Sequence, residues 1–265
     1  MCSRVFICFA CLCGLLSLLS CSAAMVSRLA APEIIAHRGG VSSAPENSLA
    51  AIERSVLAGV DAVEIDVRMS ADGVPVLMHD ASVNRTTDGR GRVDGLCFDE
   101  LRCLSLLDSV GNATCERVPS LREALELVNG RCGVLIEVKD KSDRGVEEAV
   151  AGVIELCGAE EWVAVQSFSD RVLERFSSLG VAFPLEKLFV FKLPLLPVVF
   201  DGGFSYFSMK KYCYVSSFNI RHCFARPGLV KKIRSSGKEV KLWTFDAVPE
   251  RLPLPVDGVI VDAIP

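Results

Sequence analysis

Short apolar runs rich in Val and Ile alternate along this chain with segments of helical period, and glycine repeatedly separates the two. Residues 48–58 have an apolar face of helical spacing, stop at Gly59 and are followed by the apolar run Ala62–Val67. This order predicts an α/β protein built from repeated βα units. The predicted helices are residues 48–58, 120–129, 145–157 and about 228–236.

Eight apolar runs predict parallel strands, and eight is the number that closes a (β/α)8 barrel, or TIM barrel. They are Ile34–His37, Ala62–Val67, Val134–Val138, Trp162–Ser167, Lys187–Phe191, Tyr212–Ser216, Val240–Thr244 and Gly258–Asp262. An open doubly wound sheet is the alternative, but no GxGxxG or Walker loop follows an early strand. We therefore predict the barrel.

A ninth strand-like run, Val74–His79, follows the second strand too closely for a parallel crossover. The sequence Asp72-Gly73 between the two runs is a hairpin signal. A two-residue turn at these positions pairs residues whose numbers sum to 145. This register predicts that Asp66 lies directly opposite His79.

Two long segments do not follow the βα rhythm. Residues 80–118 are too long for an ordinary βα loop, which predicts a small cap inserted after the hairpin, over the barrel mouth. Residues 183–212 place Pro194 and Pro197 among large apolar side chains. This second segment is interpreted as barrel-packing strand and helix or, alternatively, as a lipid-facing lid.

The first residues have the composition of an export leader. The apolar run Val5–Leu19 follows Arg4 and is too short to span a bilayer. The ending Leu18-Leu19-Ser20-Cys21 resembles the lipobox of bacterial lipoproteins, so we expect export, with lipid anchoring to the cell envelope through Cys21 or a periplasmic location. An ordinary cleaved signal ending near Ala23 is the alternative. The predicted organisation is a signal peptide at 1–20, a linker at 21–33 and one domain at 34–265 containing the cap at 80–118.

Charge and cysteine content exclude some classes of partner and site. The formal net charge is −4, and removing Arg4, the only charged residue before Cys21, makes it −5. This acidity argues against a nucleic-acid partner, which would require a basic face. Seven of the twelve cysteines follow the leader and none of them forms a CxxC pair, so no zinc site or regular disulfide framework is predicted.

Acidic side chains occur within two of the predicted strands. Glu64 and Asp66 are two residues apart, so their side chains point to the same side, and their neighbours are apolar. Glu137 repeats this pattern on the next strand. Because uncompensated burial of like charges is costly, the three carboxylates predict a hard cation. For Glu137, a structural ion pair with Lys139 is the alternative.

Two histidines at predicted strand ends supply proton-transfer groups. His37 precedes Arg38 and His79 precedes Asp80. Imidazoles exchange protons near neutral pH, so the two suit a base and acid pair, although a lone histidine is more often structural. Arg38 can bind two phosphate oxygens at once and Lys139 can add a point charge. Together these residues predict metal-assisted phosphodiester chemistry.

Two further side chains were considered for the site. Trp243, at the end of a predicted strand, could line a substrate pocket or serve as a core aromatic. His222 has no motif around it, so we assign it no role.

The ordered motifs resemble those of the glycerophosphodiester phosphodiesterase family over about residues 34–262. They are His37-Arg38-Gly39 with Pro45-Glu46-Asn47-Ser48, Glu64-Ile65-Asp66, Asp72-Gly73 with His79-Asp80, the run from Arg85 to Gly91, Pro119–Leu125, Glu137 with Lys139, Ser167-Phe168, and Trp243-Thr244. Two departures stand out. The final Val261-Asp262-Ala263-Ile264-Pro265 lacks the threonine of the family's ending, and residues 183–212 match no family motif.

The resemblance implies a TIM-barrel enzyme with a small inserted cap that hydrolyses glycerophosphodiesters to glycerol 3-phosphate and an alcohol. It implies one divalent cation, Ca²⁺ or Mg²⁺. The roles implied by motif position are metal binding by Glu64, Asp66 and Glu137, acid and base catalysis by His37 and His79, and phosphate binding by Arg38 and Lys139.

Two alternative functions are also compatible with the sequence. A lysophospholipase D-type enzyme would be favoured by a long apolar groove lined by residues 183–212. A surface lipoprotein could instead keep the barrel only as a binding scaffold, but such a scaffold would not need the buried acids and paired histidines.

Overall fold

Parallel strands close on themselves to form an eight-stranded barrel in the computed structural model, which describes residues 31–140, 145–252 and 254–264. In these residues the strands are β1 (Glu33–Ala36), β2 (Ala62–Met69), β3 (Pro75–Leu77), β4 (Ser105–Leu107), β5 (Ala113–Arg117), β6 (Gly133–Val138), β7 (Val163–Ser167), β8 (Leu185–Phe189), β9 (Phe191–Lys192), β10 (Val198–Phe200), β11 (Phe204–Tyr206), β12 (Ser217–Arg221), β13 (Glu239–Ala247) and β14 (Gly258–Ala263). The barrel order is β1-β2-β6-β7-β8-β12-β13-β14, and β1 pairs with both β2 and β14, which closes the cylinder. The predicted TIM barrel is confirmed.

Helices follow the barrel strands, and three of them begin after a serine whose side chain caps the helix. They are α1 (Leu49–Ala58), α2 (Phe98–Leu101), α3 (Leu121–Val128), α4 (Val146–Leu156), α5 (Asp170–Leu179) and α6 (Pro227–Ser235). Ser120 and Glu123 form a reciprocal capping box at the start of α3. Helices α2 and α5 add to the four predicted helices. The cap of α5 is Ser169, whose side chain accepts a hydrogen bond from the Val172 backbone amide.

Two strand predictions need correction. The sixth barrel strand was expected at Tyr212–Ser216 but lies at Ser217–Arg221, and the fifth lies at Leu185–Phe189, two residues before the expected Lys187–Phe191. Both strands carry polar side chains within the barrel, among them Asn219, which donates hydrogen bonds to Gln166 and Glu186. Because apolar runs were the signal, strands with a polar inner face are displaced in the prediction.

The predicted register of the β2–β3 hairpin is wrong by one residue. Val67 pairs with Leu77 and Arg68 with Val76, so partner numbers sum to 144 rather than 145. A three-residue loop causes the shift, and its last residue, Gly73, has φ +84°, the left-handed conformation such loops require. Asp66 therefore lies beside Met78, whose amide donates to the Asp66 carbonyl, rather than directly opposite His79.

Two insertions leave the carboxyl ends of the barrel strands. After β3, the chain forms the β4–β5 hairpin and α2 around a small apolar core of its own. That core consists of Val76, Met78, Val83, Val93, Leu101, Leu106 and Val118. Its assignment as a cap over the barrel mouth stays a prediction. After β8, the strands β9, β10 and β11 form a three-stranded antiparallel sheet.

The leader, with its predicted signal peptide and lipid-anchored Cys21, lies outside the described residues. Among the residues that are described, no helix combines the length and apolar character needed to cross a membrane. The seven cysteines that follow the leader are free thiols.

A buried lysine joins β8 to the second insertion. Lys187 is fully buried, and its Nζ lies 2.8 Å from Asp201 Oδ2 and 2.7 Å from Asp170 Oδ1. The same Nζ donates to the carbonyl of Phe168 at 2.6 Å. Asp201 follows β10, so one ammonium group holds the insertion against the barrel.

Replacing this lysine should destabilise the fold strongly. The substitution Lys187→Met leaves buried carboxylate oxygens without their charge partner, so we expect the free energy of unfolding to fall by about 3 kcal/mol. Urea unfolding followed by circular dichroism measures the change. The exposed Lys231→Met is the matched control and should change stability by less than about 0.5 kcal/mol. Equal stability of the two variants would contradict the role given to Lys187.

Candidate active site

Three carboxylates meet inside the barrel where β2 and β6 run side by side. Glu64 and Asp66 alternate with apolar residues on β2, so both side chains point inward. Asp66 pairs in register with Glu137 on β6, which places the third carboxylate next to the second. Ligand oxygens from the three residues lie within 4.8 Å of one another, and all three side chains are buried.

Burial and the electrostatic interactions within the group shift the pKa values of these acids in different directions. Burial raises the pKa of Glu64 to about 8, and the charge of Asp66 adds to the effect. Burial likewise raises the pKa of Glu137. Burial also acts to raise the pKa of Asp66, but the positive charges around it, that of Lys139 first, bring its pKa to about 2. Without a cation, Asp66 carries the negative charge and Glu64 tends to hold a proton.

The ion pair considered as the alternative role of Glu137 is present. Lys139 Nζ lies 2.7 Å from Glu137 Oε1 and 3.1 Å from Asp66 Oδ1, and Arg38 Nε lies 3.5 Å from Asp66 Oδ2. These pairs do not satisfy all the buried atoms. Asp66 Oδ1 accepts no hydrogen bond of acceptable geometry, and buried Arg38 Nε donates none. Three buried oxygen donors, one of them unsatisfied, fit a hard divalent cation.

Asn47 fixes the position of Asp66. Its side-chain amide donates to Asp66 Oδ2 at 2.9 Å, while its Oδ1 accepts from the Asp66 backbone amide at 3.0 Å. The loop before α1 also contacts Glu64, whose Oε2 accepts a hydrogen bond from the Arg38 backbone amide at 2.9 Å. Both carboxylates are thus held by the loop that follows β1.

Each candidate histidine has its own carboxylate partner. His37 Nδ1 lies 2.6 Å from Asp262 Oδ1, and His79 Nδ1 lies 2.7 Å from Asp80 Oδ1. When Nδ1 donates to the carboxylate, Nε2 of each ring remains to exchange protons with another group. The pairing orients both imidazoles.

The pKa values of the two histidines shift in opposite directions. Burial acts to lower the pKa of His37, but the hydrogen bond to Asp262 and the charge of Glu64 outweigh it and the pKa is raised. Burial also acts on His79, and there it prevails over the opposing charge of Asp66, so the pKa is lowered. The negative charge of Asp66 acts to raise the pKa of both imidazoles, so both rings interact electrostatically with Asp66.

A chain of ion pairs connects Arg38 to His79. Glu46 Oε1 accepts from Arg38 Nη1 at 2.9 Å, and Arg85 binds both oxygens of Glu46 at 2.8 and 2.9 Å. Arg85 Nε also donates to Asp80 Oδ2 at 2.7 Å. Because Arg85 belongs to the first insertion, that insertion contacts both Glu46, the partner of Arg38, and Asp80, the partner of His79. The hydrogen bond from Arg85 is the first cause of the lowered pKa of Asp80.

Trp243 and His222 contact residues other than the groups described above. Trp243 Nε1 donates to the Asn219 carbonyl at 3.0 Å, and its ring meets Phe168 edge-on with centroids 5.6 Å apart. Trp243 also packs on the small apolar cluster inside the barrel, so both of its predicted roles remain open. His222 stacks on Phe245 with centroids 4.4 Å apart.

Sequence reasoning assigned no role to several residues that the structure brings to the site. They are Glu46, Asn47, Asp80, Arg85 and Asp262. The first four stand within the quoted motifs, and this was the available signal. Asp262 was noted only as part of a departure from the family pattern, yet it contacts His37 from the opposite end of the chain.

Comparisons with known proteins agree with this geometry. The model of the glycerophosphoryl diester phosphodiesterase family matches residues 37–265. Glycerophosphodiester phosphodiesterase 1 of Bos taurus is 31% identical over 243 residues, which cover 82% of this chain and 72% of that protein. The crystal structure of glycerophosphodiester phosphodiesterase from Agrobacterium tumefaciens has a TM-score of 0.70 and 27% identity, covering 88% of this chain and 97% of that one.

A second solved structure contains a product. It is a phosphodiesterase of Oleispira antarctica in complex with sn-glycerol 3-phosphate. Its TM-score is 0.70 at 26% identity, covering 87% of this chain and 93% of that one.

The carboxylate partner of His37 should control its titration. Asp262→Asn removes the charged acceptor whose hydrogen bond opposes the effect of burial, so the pKa of His37 should fall. The chain has only three histidines, so NMR titration of their ring protons in the presence of chelator resolves each one. The exposed Asp246→Asn is the control and should leave all three titrations unchanged. An unaltered His37 titration in the Asp262 variant would contradict the assignment.

Proposed function

The chain belongs to the glycerophosphoryl diester phosphodiesterase family, and we propose that it hydrolyses glycerophosphodiesters to glycerol 3-phosphate and an alcohol using a divalent cation and two histidines. The observation that carries this proposal is the buried group of Glu64, Asp66 and Glu137, whose charges act on two carboxylate-oriented imidazoles. The glycerol 3-phosphate bound by the Oleispira relative supports the same substrate class.

Glu64, Asp66 and Glu137 are the residues that would hold the cation, Ca²⁺ or Mg²⁺. Their oxygen donors suit either ion. A bound cation would supply positive charge to the nonbridging phosphate oxygens and to the glycerol hydroxyl next to the phosphorus.

Arg38 and Lys139 are proposed to bind the phosphate. Lys139 already contacts Asp66 and Glu137, and Arg38 lies beside Asp66, so both cations border the carboxylate group. Glu46 holds one arm of the Arg38 guanidinium, which restricts its orientation. A fixed guanidinium is suited to two phosphate oxygens at once.

The opposite pKa shifts support a division of labour between the histidines. His37, whose pKa is raised, is proposed to start protonated and give its proton to the departing alcohol oxygen. His79, whose pKa is lowered, is proposed to start neutral and accept the proton of the nucleophile. Both water and the neighbouring glycerol hydroxyl, through a cyclic phosphate, fit this assignment as nucleophile.

A lysophospholipase D-type activity is the second candidate. The sheet β9–β11, which begins directly after barrel strand β8, exposes the aromatic side chains Phe204 and Tyr206. Such a surface could accept an acyl chain. A scaffold without catalysis is the least supported alternative, since it explains neither the buried acids nor the oriented imidazoles.

We further propose that the chain is exported and anchored through a lipid on Cys21. The support is the sequence of the leader alone, with its apolar run and its lipobox-like ending.

One assay tests reaction class and ion together. Glycerophosphocholine and lysophosphatidylcholine are supplied in parallel, first with chelator and then with Ca²⁺ or Mg²⁺ restored. We expect chelator to abolish release of glycerol 3-phosphate from glycerophosphocholine and an ion to restore it. His37→Ala and His79→Ala should each lower kcat by about 10²- to 10⁴-fold, whereas His222→Ala, the matched control, should not.

The contrary results are equally specific. Preferred cleavage of lysophosphatidylcholine would favour the second candidate. Absence of chelator-sensitive hydrolysis of both substrates would favour the scaffold, and near-normal turnover by either variant at His37 or His79 would refute the two-histidine mechanism.

Metal-free stability should also report on the carboxylate group. Because folding raises the pKa of Glu64 from 4.5 to about 8, the folded state binds more protons and its stability falls as pH rises through that window. Glu64→Gln removes this effect, so with chelator the variant should exceed the unsubstituted chain in Tm increasingly from pH 5 to pH 8. Added ion should raise the Tm of the unsubstituted chain more than that of the variant. A pH-independent difference between the two would contradict the repulsion described here.

A further inference from the structure

Exposed apolar side chains gather on one part of the surface. Leu195 and Leu196 lie at the tip between β9 and β10, Phe204 and Tyr206 lie on β11, and Phe224 lies in the turn after β12. Leu195 is 95% exposed and Phe204 is 69% exposed. We call these five residues the aromatic patch.

Ring contacts hold the patch together although its parts are distant in sequence. Phe191 stacks on Phe200 with centroids 5.3 Å apart, and Phe200 meets the edge of Phe204 at 5.3 Å. Phe224 lies 5.4 Å from Phe191 and so joins the turn after β12 to the sheet. The exposed rings therefore rest on an ordered aromatic base rather than on a loose loop.

The stretch of sequence that carries the aromatic patch is strongly basic in a chain whose net charge is −4. Residues 190–232 contain seven Lys or Arg residues and a single acid, Asp201. That acid is buried and paired with Lys187, so it does not offset the surface charge. The exposed basic residues of this stretch are Lys210, Arg221, Arg226, Lys231 and Lys232.

A basic side chain of the antiparallel sheet lies close to a basic side chain of helix α6. Burial lowers the pKa of Lys192 on β9, and the nearby positive charge of Lys232 on α6 lowers it further. Lys232 of α6 therefore stands beside the apolar sheet. A group of like charges at a surface creates a potential that attracts an external anion.

The patch lies on the same face of the barrel as the candidate active site. The sheet begins after β8 ends at Phe189, and Phe224 follows the end of β12 at Arg221. In a parallel barrel the carboxyl ends of all strands open on one face. Residues Asp66 and Glu137 stand near the same ends of β2 and β6.

We propose that the aromatic patch and its basic border dock this face of the barrel on an anionic phospholipid bilayer. Aromatic rings and leucines at a protruding tip enter the interfacial region, while Lys and Arg meet anionic headgroups. A second copy of the chain is a poorer occupant, because its own patch carries the same charge. The leader, predicted to carry a lipid on Cys21, would keep the chain near such a surface.

A tryptophan placed in the patch tests this docking on the full chain. Leu195→Trp reports burial of the tip, and Leu156→Trp on α4, at a leucine that is 67% exposed outside the patch, is the matched control. With vesicles of phosphatidylglycerol and phosphatidylcholine, the emission of Leu195→Trp should shift to the blue and be quenched by brominated acyl chains. The control should not respond, because anchoring by the leader alone does not immerse the tip.

Charge variants complete the experiment. In the Leu195→Trp background, Arg226→Gln and Lys232→Gln should each weaken binding to these vesicles by about fivefold. Turnover of glycerophosphocholine in solution should remain unchanged, which separates this proposal from the proposed function. Three outcomes would overturn the docking: no response to anionic vesicles, an equal response of the Leu156 control, or the same blue shift with polyglutamate or on raising protein concentration without lipid.

Discussion

The structure depends on the burial of three carboxylates within one barrel. Glu64, Asp66 and Glu137 repel one another, and burial denies them water, so each must be compensated by another group. Lys139 contacts two of them, and Asn47 gives Asp66 both a donor and an acceptor. The compensation is incomplete without a cation. The loop after β1 supplies hydrogen-bond donors to Glu64 and Asp66, and the pairing of β2 with β6 places Glu137 beside Asp66.

The polar character of the interior extends beyond the carboxylates. Gln166 donates to Glu64 at 3.4 Å and accepts from Asn219, which also donates to Glu186; Glu186 in turn accepts from Lys241 at 2.7 Å. A continuous hydrogen-bonded path thus crosses the barrel from β2 to β13. Every member of this path is buried and hydrogen-bonded, so the path helps, together with side-chain packing, to fix the relative positions of the strands. The carboxylate group is connected to this path through Glu64.

Local patterns predicted much of the fold and the grouping of the three acids of the candidate site, and failed where contacts are long-range. Val- and Ile-rich runs revealed β2 and β6, and the acids interrupting them revealed the site. Strand β12 was displaced because Asn219 faces a polar interior that no apolar pattern records. The hairpin register depended on the backbone conformation of Gly73. Asp262 gave no signal because its partner, His37, is 225 residues away in sequence.

Arg85 connects the first insertion to the loop after β1 through Glu46, and it also binds Asp80, the carboxylate partner of His79. Arg38 and His79 are therefore aligned by a residue that belongs to neither a strand nor a helix of the barrel. Without the insertion, the barrel would still hold the three acids, but Arg38 and His79 would lose the residue that connects their partners. A lesion confined to the insertion would therefore disturb the positions of Arg38 and His79 and leave the rest of the barrel unchanged.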